Sequence, residues 1–240
     1  MLKAVDLSGK MFLSWKDFQD INKENQYLCP ECKQKVVFVN CILKIKHFRH
    51  YVKSKCDPEP ETEQHIKMKE FFIRTLQLKE NEIEVPLGYA KPDIMKNGIA
   101  IEVQYSKLSL QDFLNRTKQY TEHGIPVIWV FHKRFLATDN VNAVIKKAHE
   151  LYYGRVYIFN YGQICPYHLE GKGRMVGEAD SGYGYYFKYY KKKKIYVLGR
   201  LVDNFNMKIS RNKYKDNNYL VANFTDSVFW KKKEGGDING

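Results

Sequence analysis

The stretch from residue 61 to residue 131 changes its hydrophobic period several times, and this alternation limits the possible folds more than any other feature. Its first part, "ETEQHIKMKEFFIRTLQLKEN", has apolar residues close to helical spacing, and Thr62 is well placed as an N-cap. "EIEVPLGYAKPDIM" and "IAIEVQ" follow and predict three short strands, separated by Pro86-Leu87-Gly88 and by Lys96-Asn97-Gly98. The second separator is typical of a hairpin turn.

A second helix is predicted from "LSLQDFLNRTKQYTEHG", with Ser109 as its N-cap and Gly124 ending it. "IPVIWVF" then has the length and composition of a buried strand. The order is therefore helix, three strands, helix and strand. Such an order predicts a mixed sheet with helices packed on it, which is an α/β fold.

Three segments with different composition are expected along the chain. Residues 1–60 contain a possible hairpin and a cysteine-rich segment, and residues 61–150 contain the α/β core. Residues 151–240 carry 13 of the 18 tyrosines and several strand-like runs, so we expect a β-rich region there. No apolar run approaches the roughly 20 residues that span a bilayer, and the first residues lack the apolar core of a signal peptide. We therefore expect a cytoplasmic protein without a membrane partner.

The net charge of +13 indicates a polyanionic partner, although a lysine-rich solvated surface is the simpler alternative. Lys plus Arg against Asp plus Glu number 13 against 12 in residues 61–150, but 16 against 8 in residues 151–240. Within the last segment, "YGYYFKYYKKKKIYVLGR" mixes aromatic and cationic residues, a composition that suits single-stranded nucleic acid. Lys191, Lys192, Lys193 and Lys194 are the candidate contacts there. A twisted sheet with paired tyrosines and a solvated lysine loop is the alternative.

Four of the five cysteines lie in the first 60 residues, and in a reducing compartment this clustering favours a metal over disulfides. Cys29 and Cys32 form a Cys-x-x-Cys turn, which supplies two of the four ligands of a structural Zn2+ ion. His47 with His50, or His50 with Cys56, would complete the site. The alternative is that both cysteines are ordinary reduced thiols.

Two carboxylates, Asp93 and Glu102, lie in the predicted strands on either side of the Lys96-Asn97-Gly98 turn. Two buried carboxylates repel each other unless a cation lies between them, so a shared divalent metal is the favoured interpretation. An ordinary ion pair of Asp93 with Lys91 or Lys107 is the alternative. Both readings require a cation close to Asp93.

The preceding helix carries Glu61, His65 and Lys69 at positions i, i+4 and i+8, which places them on one helical face. Glu63 is an alternative to Glu61 as the acidic residue of this face, because the start of the helix is uncertain by one or two residues. His65 is a candidate residue of the catalytic site, but a histidine that is simply packed and hydrogen-bonded is an equally good interpretation. On the second helix Arg116 and Tyr120 are spaced i and i+4, and both are candidate nucleic-acid contacts, with Arg116 neutralising a phosphate.

Five segments in this order, "CPEC", "HFRH", "ETEQHIKMK", "KPDIMKNGIAIEVQYSKLS" and "FLNRTKQYTEHGIPVIWVF", resemble the competence protein CoiA-like nuclease family, which belongs to the PD-(D/E)xK nucleases. The resemblance covers about residues 25 to 132. It implies a restriction-endonuclease-like mixed sheet flanked by helices, with a zinc-knuckle segment before it and a β-rich region after it.

By this resemblance the chain would be a Mg2+- or Mn2+-dependent endonuclease acting on single- or double-stranded DNA, with RNA as a further possible substrate. Asp93 and Glu102 would be metal ligands and Glu61 would assist them. Gln104 occupies the position where the motif usually has Lys. Because a glutamine cannot accept a proton as a lysine can, it would instead orient water or the phosphate. Lys69 or Arg116 would then supply the missing positive charge.

The glutamine also leaves a second hypothesis open, in which the chain retains the nuclease fold and binds nucleic acid without cleaving it. A third hypothesis is an accessory or effector module whose basic end docks a partner. Metal-dependent cleavage separates the first of these functions from the other two.

Overall fold

The structure is a computed structural model, and it describes residues 1–40, 45–52, 61–136, 143–152, 156–170, 195–198, 207–214 and 217–224. The chain divides into two compact units, Met1–Met95 and Lys96–Gly240. Strands and helices occur in both, so the predicted α/β class is confirmed. None of the helices in the described ranges is long and apolar enough to cross a membrane.

The first unit contains a five-stranded antiparallel sheet, whose strands are β1 (Lys3–Asp6), β2 (Met11–Leu13), β3 (Tyr27–Leu28), β4 (Lys35–Val39) and β5 (His47–His50). Their order in the sheet is β2-β1-β3-β4-β5. The predicted N-terminal hairpin is confirmed, because β1 pairs with β2 and Gly9 adopts a φ of 86° in the turn between them. Tyr27 and Phe48 lie in the core of this sheet with their ring centroids 5.6 Å apart.

Helix α1 (Glu63–Thr75) begins where its sequence predicts. The hydroxyl of Thr62 accepts a hydrogen bond from the backbone N–H of His65 at 3.2 Å, so Thr62 is the N-cap. The inner face of α1 buries four apolar side chains together with one charged side chain, Lys69. This buried charge positions the site described below.

The first of the three predicted strands after α1 is reduced to a single bridge between Ile83 and Ile94. Glu84 follows Ile83 with a φ of 46°, which lies outside the extended region and ends the strand after one residue. The second and third predicted strands are present as β6 (Ile94–Lys96) and β7 (Ile99–Gln104). Asn97 and Gly98 join them with φ values of 52° and 75°, which confirms the predicted hairpin turn.

The second unit is built on a sheet whose central strand is β8. Its further elements are α2 (Leu110–Glu122), β8 (Val127–His132), α3 (Ala143–Leu151), β9 (Val156–Asn160), β10 (Gln163–Glu170), β11 (Ile195–Leu198), β12 (Met207–Tyr214) and β13 (Asn217–Phe224). Strands β7 and β9 both run parallel to β8, and β13 pairs with β8 in parallel at Val127. The hairpins β9–β10 and β12–β13 are antiparallel.

The second predicted helix and the strand after it are also confirmed. The Ser109 hydroxyl accepts a hydrogen bond from the backbone N–H of Asp112 at 3.0 Å at the start of α2. Gly124 follows the helix with a φ of 70°, which a glycine adopts without strain. The buried face of α2 packs Phe113 against Trp129 of β8, with ring centroids 5.3 Å apart.

The region after residue 150 contains strands, as predicted, in the ranges that the structure describes. Strands β9 and β13 do not form a sheet of their own, because both pair with β8 of the α/β core. The boundary between the two compact units falls inside β6, whereas the sequence suggested segment boundaries near residues 60 and 150. Residues 191–194, the candidate nucleic-acid contacts, lie outside the described residues.

Candidate functional site

Helix α1 brings Glu61, His65 and Lys69 to one place in the first unit. Glu61 lies just before the N-cap, and its Oε1 atom accepts a hydrogen bond from the Lys69 ammonium group two turns later. The same oxygen lies 3.9 Å from Nδ1 of His65. The one-face arrangement expected from the i, i+4, i+8 spacing is therefore present, and Glu63 is instead paired with Lys67 on a more exposed face.

Lys69 is completely buried among three carboxylates. Besides Glu61, its Nζ atom lies 2.5 Å from Oε1 of Glu84 and 3.8 Å from Oδ1 of Asp93. Burial alone lowers the pKa of this ammonium group, but the three carboxylates outweigh burial and raise the pKa above its usual value. Lys69 is therefore a fixed positive charge at every physiological pH and cannot serve as a proton acceptor.

Asp93 lies between Lys69 and His65, with its Oδ2 atom 3.3 Å from Nε2 of the histidine. Burial raises the pKa of Asp93, but His65 and then Lys69 outweigh it and lower the pKa to about 2. For His65, burial lowers the pKa and the carboxylates of Asp93 and Glu61 raise it, with a net increase. These shifts mean that Asp93 stays ionised and that the imidazole is held by carboxylates on both sides.

Glu61, His65 and Asp93 form a group whose possible ligand atoms all lie within 4.8 Å of one another. Two carboxylate oxygens and one imidazole nitrogen are a donor set that divalent cations accept. The side chain of His65 is 24% exposed, so the group can be reached from solvent. The residues of this group were candidates from sequence, but the direct contact of His65 with Asp93 was not expected.

Glu84 is the member of this site that sequence reasoning missed. It is buried, and both carboxylate oxygens accept a hydrogen bond from the backbone N–H of Leu2, at 3.1 and 3.2 Å. Its φ of 46° is rare for a residue with a side chain, and such strain persists where surrounding contacts outweigh its cost. The only indication in the sequence was an acidic residue between the apolar Ile83 and Val85.

The amino group of Met1 lies 2.8 Å from Oε2 of Glu61 and adds a second positive charge at the carboxylates.

The suggested ion pair of Asp93 with Lys91 is not present, because the Lys91 ammonium group contacts Glu31 at 3.0 Å. Asp93 pairs with His65 and Lys69 instead.

In the second unit, Glu102 lies on β7 and is only 1% exposed. Its Oε1 atom accepts a hydrogen bond from the Tyr120 hydroxyl at 2.6 Å and lies 2.7 Å from a terminal nitrogen of Arg116. The Arg116 guanidinium also lies over the Trp129 ring, 4.8 Å from its centroid. The i and i+4 positions on α2 thus converge on a carboxylate of the adjacent strand.

These contacts change the roles expected for the α2 residues. Tyr120 is 1% exposed, so its ring is buried in this structure and only its hydroxyl contact with Glu102 is seen. Arg116 is partly exposed and already pairs with Glu102. A phosphate would therefore share the guanidinium group with this carboxylate. Gln104, at the end of β7, donates from its side-chain amide to the backbone carbonyl of Ser106 at 2.9 Å.

A second possible metal group lies in the five-stranded sheet and consists of Cys29, Cys32 and His50. The knuckle is closed by a hydrogen bond from the Lys33 backbone N–H to the Cys29 carbonyl at 3.0 Å, with Lys33 in the left-handed region at a φ of 59°. The Cys32 sulfur lies 3.3 Å from Nε2 of His50. Two sulfurs and one imidazole are typical ligands of zinc.

His47 is not part of this group, and its place in the strand explains why. His47 and His50 lie three positions apart on β5, so their side chains point to opposite faces of the sheet. Nδ1 of His47 is within hydrogen-bond distance of the Ile45 carbonyl, at 2.8 Å. Among the described residues the structure therefore brings His50, and not His47, to the two cysteines. Cys56 lies outside the described residues.

Comparison with protein families gives two matches. Residues 61–160 match the family model described as competence protein CoiA, nuclease-like domain. Residues 11–59 match the one described as competence protein CoiA, N-terminal domain. No curated protein and no solved structure matches the chain significantly. The two matches are adjacent, occur in the expected order and together cover more than half of the sequence, so the chain belongs to the competence protein CoiA family.

Proposed function

We propose that this CoiA-family chain is a nuclease that hydrolyses phosphodiester bonds of DNA with the help of a divalent cation. The observation that carries the proposal is the convergence of Glu61, His65 and Asp93, whose ligand atoms lie within 4.8 Å of one another. The nuclease-like family match includes all three residues. We further propose that the mixed sheet and its helices are a core of the PD-(D/E)xK type.

The donor set fits Mg2+ or Mn2+. Carboxylate oxygens suit both ions, and an imidazole nitrogen is a ligand that Mn2+ accepts more readily than Mg2+. When bound, such a cation lowers the pKa of a water molecule and polarises the scissile phosphate. Glu102 is assigned to the same chemistry from the sequence motif alone.

The residues around these ligands would hold charge in fixed positions. Lys69 keeps the carboxylates of Glu61 and Asp93 ionised and adds a buried positive charge, which suits a reaction in which negative charge develops on a phosphate. We propose Lys69 as the source of the positive charge that the sequence motif lacks at position 104. Glu84 also positions Lys69, because its Oε1 atom lies 2.5 Å from the ammonium group.

A second candidate function is nucleic-acid binding without cleavage. It is favoured by the same ammonium group, because Lys69 already neutralises carboxylates that a metal would otherwise need to neutralise. A purely structural ion-pair network would have this appearance. The two candidates differ in one respect, which is whether metal changes what happens to the substrate.

The test is a cleavage assay with single- and double-stranded DNA and RNA in the presence of Mg2+, Mn2+ or EDTA. We expect the wild-type protein to cleave DNA with metal and not with EDTA. Asp93→Asn and Glu61→Gln should each reduce the rate by at least about 100-fold, since each removes a charged ligand from the reacting site.

Glu63→Gln is the matched control for this assay. Glu63 lies on the same helix, is partly exposed, and pairs with Lys67 at 3.0 Å rather than with the proposed site. Its replacement should leave the cleavage rate unchanged. If the wild-type protein cleaves none of the substrates with either metal, the nuclease proposal is refuted and the binding function remains.

For the first unit we propose a structural zinc ion held by Cys29, Cys32 and His50, with Cys56 as the fourth ligand. The proposal is supported by the distances among the three described ligands and by the strained knuckle that presents the cysteines. A closed site of this kind staples a small sheet and takes no part in hydrolysis.

A further inference from the structure

Five residues form a cationic and aromatic cluster at one edge of the second unit, where three parallel strands end. The first residue after β7 is Tyr105, the first after β8 is Lys133, and the first after β9 is Tyr161. His132 closes β8, and Arg134 follows Lys133. Because neighbouring parallel strands end at the same edge, these side chains come together. We call this set the strand-end platform.

The side chains of the strand-end platform contact one another in pairs of one ring and one cation. The Lys133 ammonium group lies 3.0 Å from the centroid of the Tyr161 ring, and the Arg134 guanidinium lies 4.6 Å from that of Tyr105. The rings of Tyr105 and His132 meet edge to face at 4.8 Å. Burial lowers the pKa of His132, and the charges of Lys133 and Arg134 lower it further. The platform therefore combines flat rings with a concentrated positive field.

Tyr161 is placed against two ordinary preferences. It is 76% exposed, so its ring gains little from burial. It also has a φ of 46° in the two-residue turn to β10, next to Gly162 at 80°, where asparagine and glycine are the favoured residues. A bulky side chain in this region is a genuine outlier. Burial and turn chemistry both disfavour a tyrosine here, while its exposed ring lies against the Lys133 ammonium group, a combination that points to a role in binding.

We propose that the strand-end platform binds single-stranded nucleic acid, with Tyr161 and Tyr105 stacking on bases and with Lys133 and Arg134 contacting phosphates. Exposed rings interleaved with cations are the features that recognise unpaired bases on a charged backbone. A duplex offers the cations its phosphates but keeps its bases stacked on one another. The platform contains none of Lys191 to Lys194, the contacts that the sequence suggested, and these lysines lie outside the described residues.

This inference rests on the proposed nuclease function for its meaning, since it names the form in which the substrate is held, but its test does not require cleavage. Binding is measured by fluorescence anisotropy in EDTA, with a labelled oligonucleotide of about 20 nucleotides as a single strand and as a duplex. We expect Tyr161→Asn to weaken single-strand binding by about 5-fold or more, as for loss of one stacked base, and duplex binding by much less.

Tyr161→Asn also separates binding from folding. Asparagine tolerates the left-handed turn, so the melting temperature should rise or stay unchanged while single-strand affinity falls. Tyr161→Trp should retain affinity, because a larger ring still stacks. Lys133→Ala and Arg134→Ala should each reduce the salt dependence of binding by about 0.7 in the log–log slope, as for one lost phosphate contact.

Tyr51→Ala is the matched control. Tyr51 is 70% exposed, and the Lys35 ammonium group lies 5.5 Å from the centroid of its ring. It belongs to the other unit. The proposal is overturned if Tyr161→Asn binds the single strand as the wild type does, or if Tyr51→Ala weakens binding equally. Equal losses for duplex and single strand would overturn it too. Because binding is measured without metal, loss of cleavage and loss of the platform are distinguishable.

Discussion

Lys69→Met should lower the free energy of unfolding by about 3–5 kcal/mol, because the substitution leaves buried carboxylates without their cation. The ammonium group is fully buried and contacts Glu61, Glu84 and Asp93. A methionine fills a similar volume, so the loss measures the charge rather than a cavity. Urea denaturation followed by circular dichroism gives the difference.

Lys67→Met is the matched control for that measurement. Lys67 lies two residues earlier on α1, is 44% exposed, and forms an i, i+4 pair with Glu63. Exposed pairs of this kind contribute about 0.3–0.5 kcal/mol, so the variant should be nearly as stable as the wild type. Equal losses in the two variants would show that the helix tolerates neither methionine and that the buried network has no special role.

Removal of zinc should abolish the cooperative unfolding of the first unit. A structural zinc ion contributes roughly 10–16 kcal/mol to folding in isolated zinc-finger peptides, and a small sheet with short strands has little to replace it. Protein purified without chelator should contain about one zinc ion per chain, and Cys29→Ser should contain none. Elemental analysis and thermal denaturation with and without chelator measure these two effects.

Cys165→Ser provides the control for the zinc experiment. Cys165 is buried in β10 of the second unit, where burial raises the pKa of its thiol to about 11. Such a thiol is a packing group, so its replacement should leave the zinc content unchanged. Wild-type protein without zinc, or a Cys29→Ser variant that retains it, would contradict the assignment of the knuckle.

Local chemistry explains why the helices and the central hairpin could be predicted from sequence. Thr62 and Ser109 cap their helices by side-chain bonds within three residues, and Asn97-Gly98 fixes its turn through its own backbone angles. Such signals need no knowledge of the rest of the chain. The first predicted strand is reduced to one bridge for an equally local reason, because Glu84 adopts a left-handed conformation. No sequence rule predicts that conformation for a glutamate.

The partners of the charged residues could not be predicted in the same way. Sequence spacing placed Glu61, His65 and Lys69 on one face, but it could not show that Glu84 and Leu2, 82 positions apart, meet beside them. Long-range contacts of this kind depend on packing rather than on local pattern. The strand-end platform could not be predicted for the same reason. Tyr105 and Tyr161 lie at the same sheet edge only because β7, β8 and β9 pair in parallel.

Calorimetric titration of Mn2+ into the zinc-loaded protein tests most directly whether Glu61, His65 and Asp93 form a divalent metal centre. We predict a Mn2+ site whose affinity falls at least about tenfold in Asp93→Asn and is unchanged in Glu63→Gln. Equal Mn2+ affinity in the wild type and Asp93→Asn, or the absence of any binding, would contradict the claim.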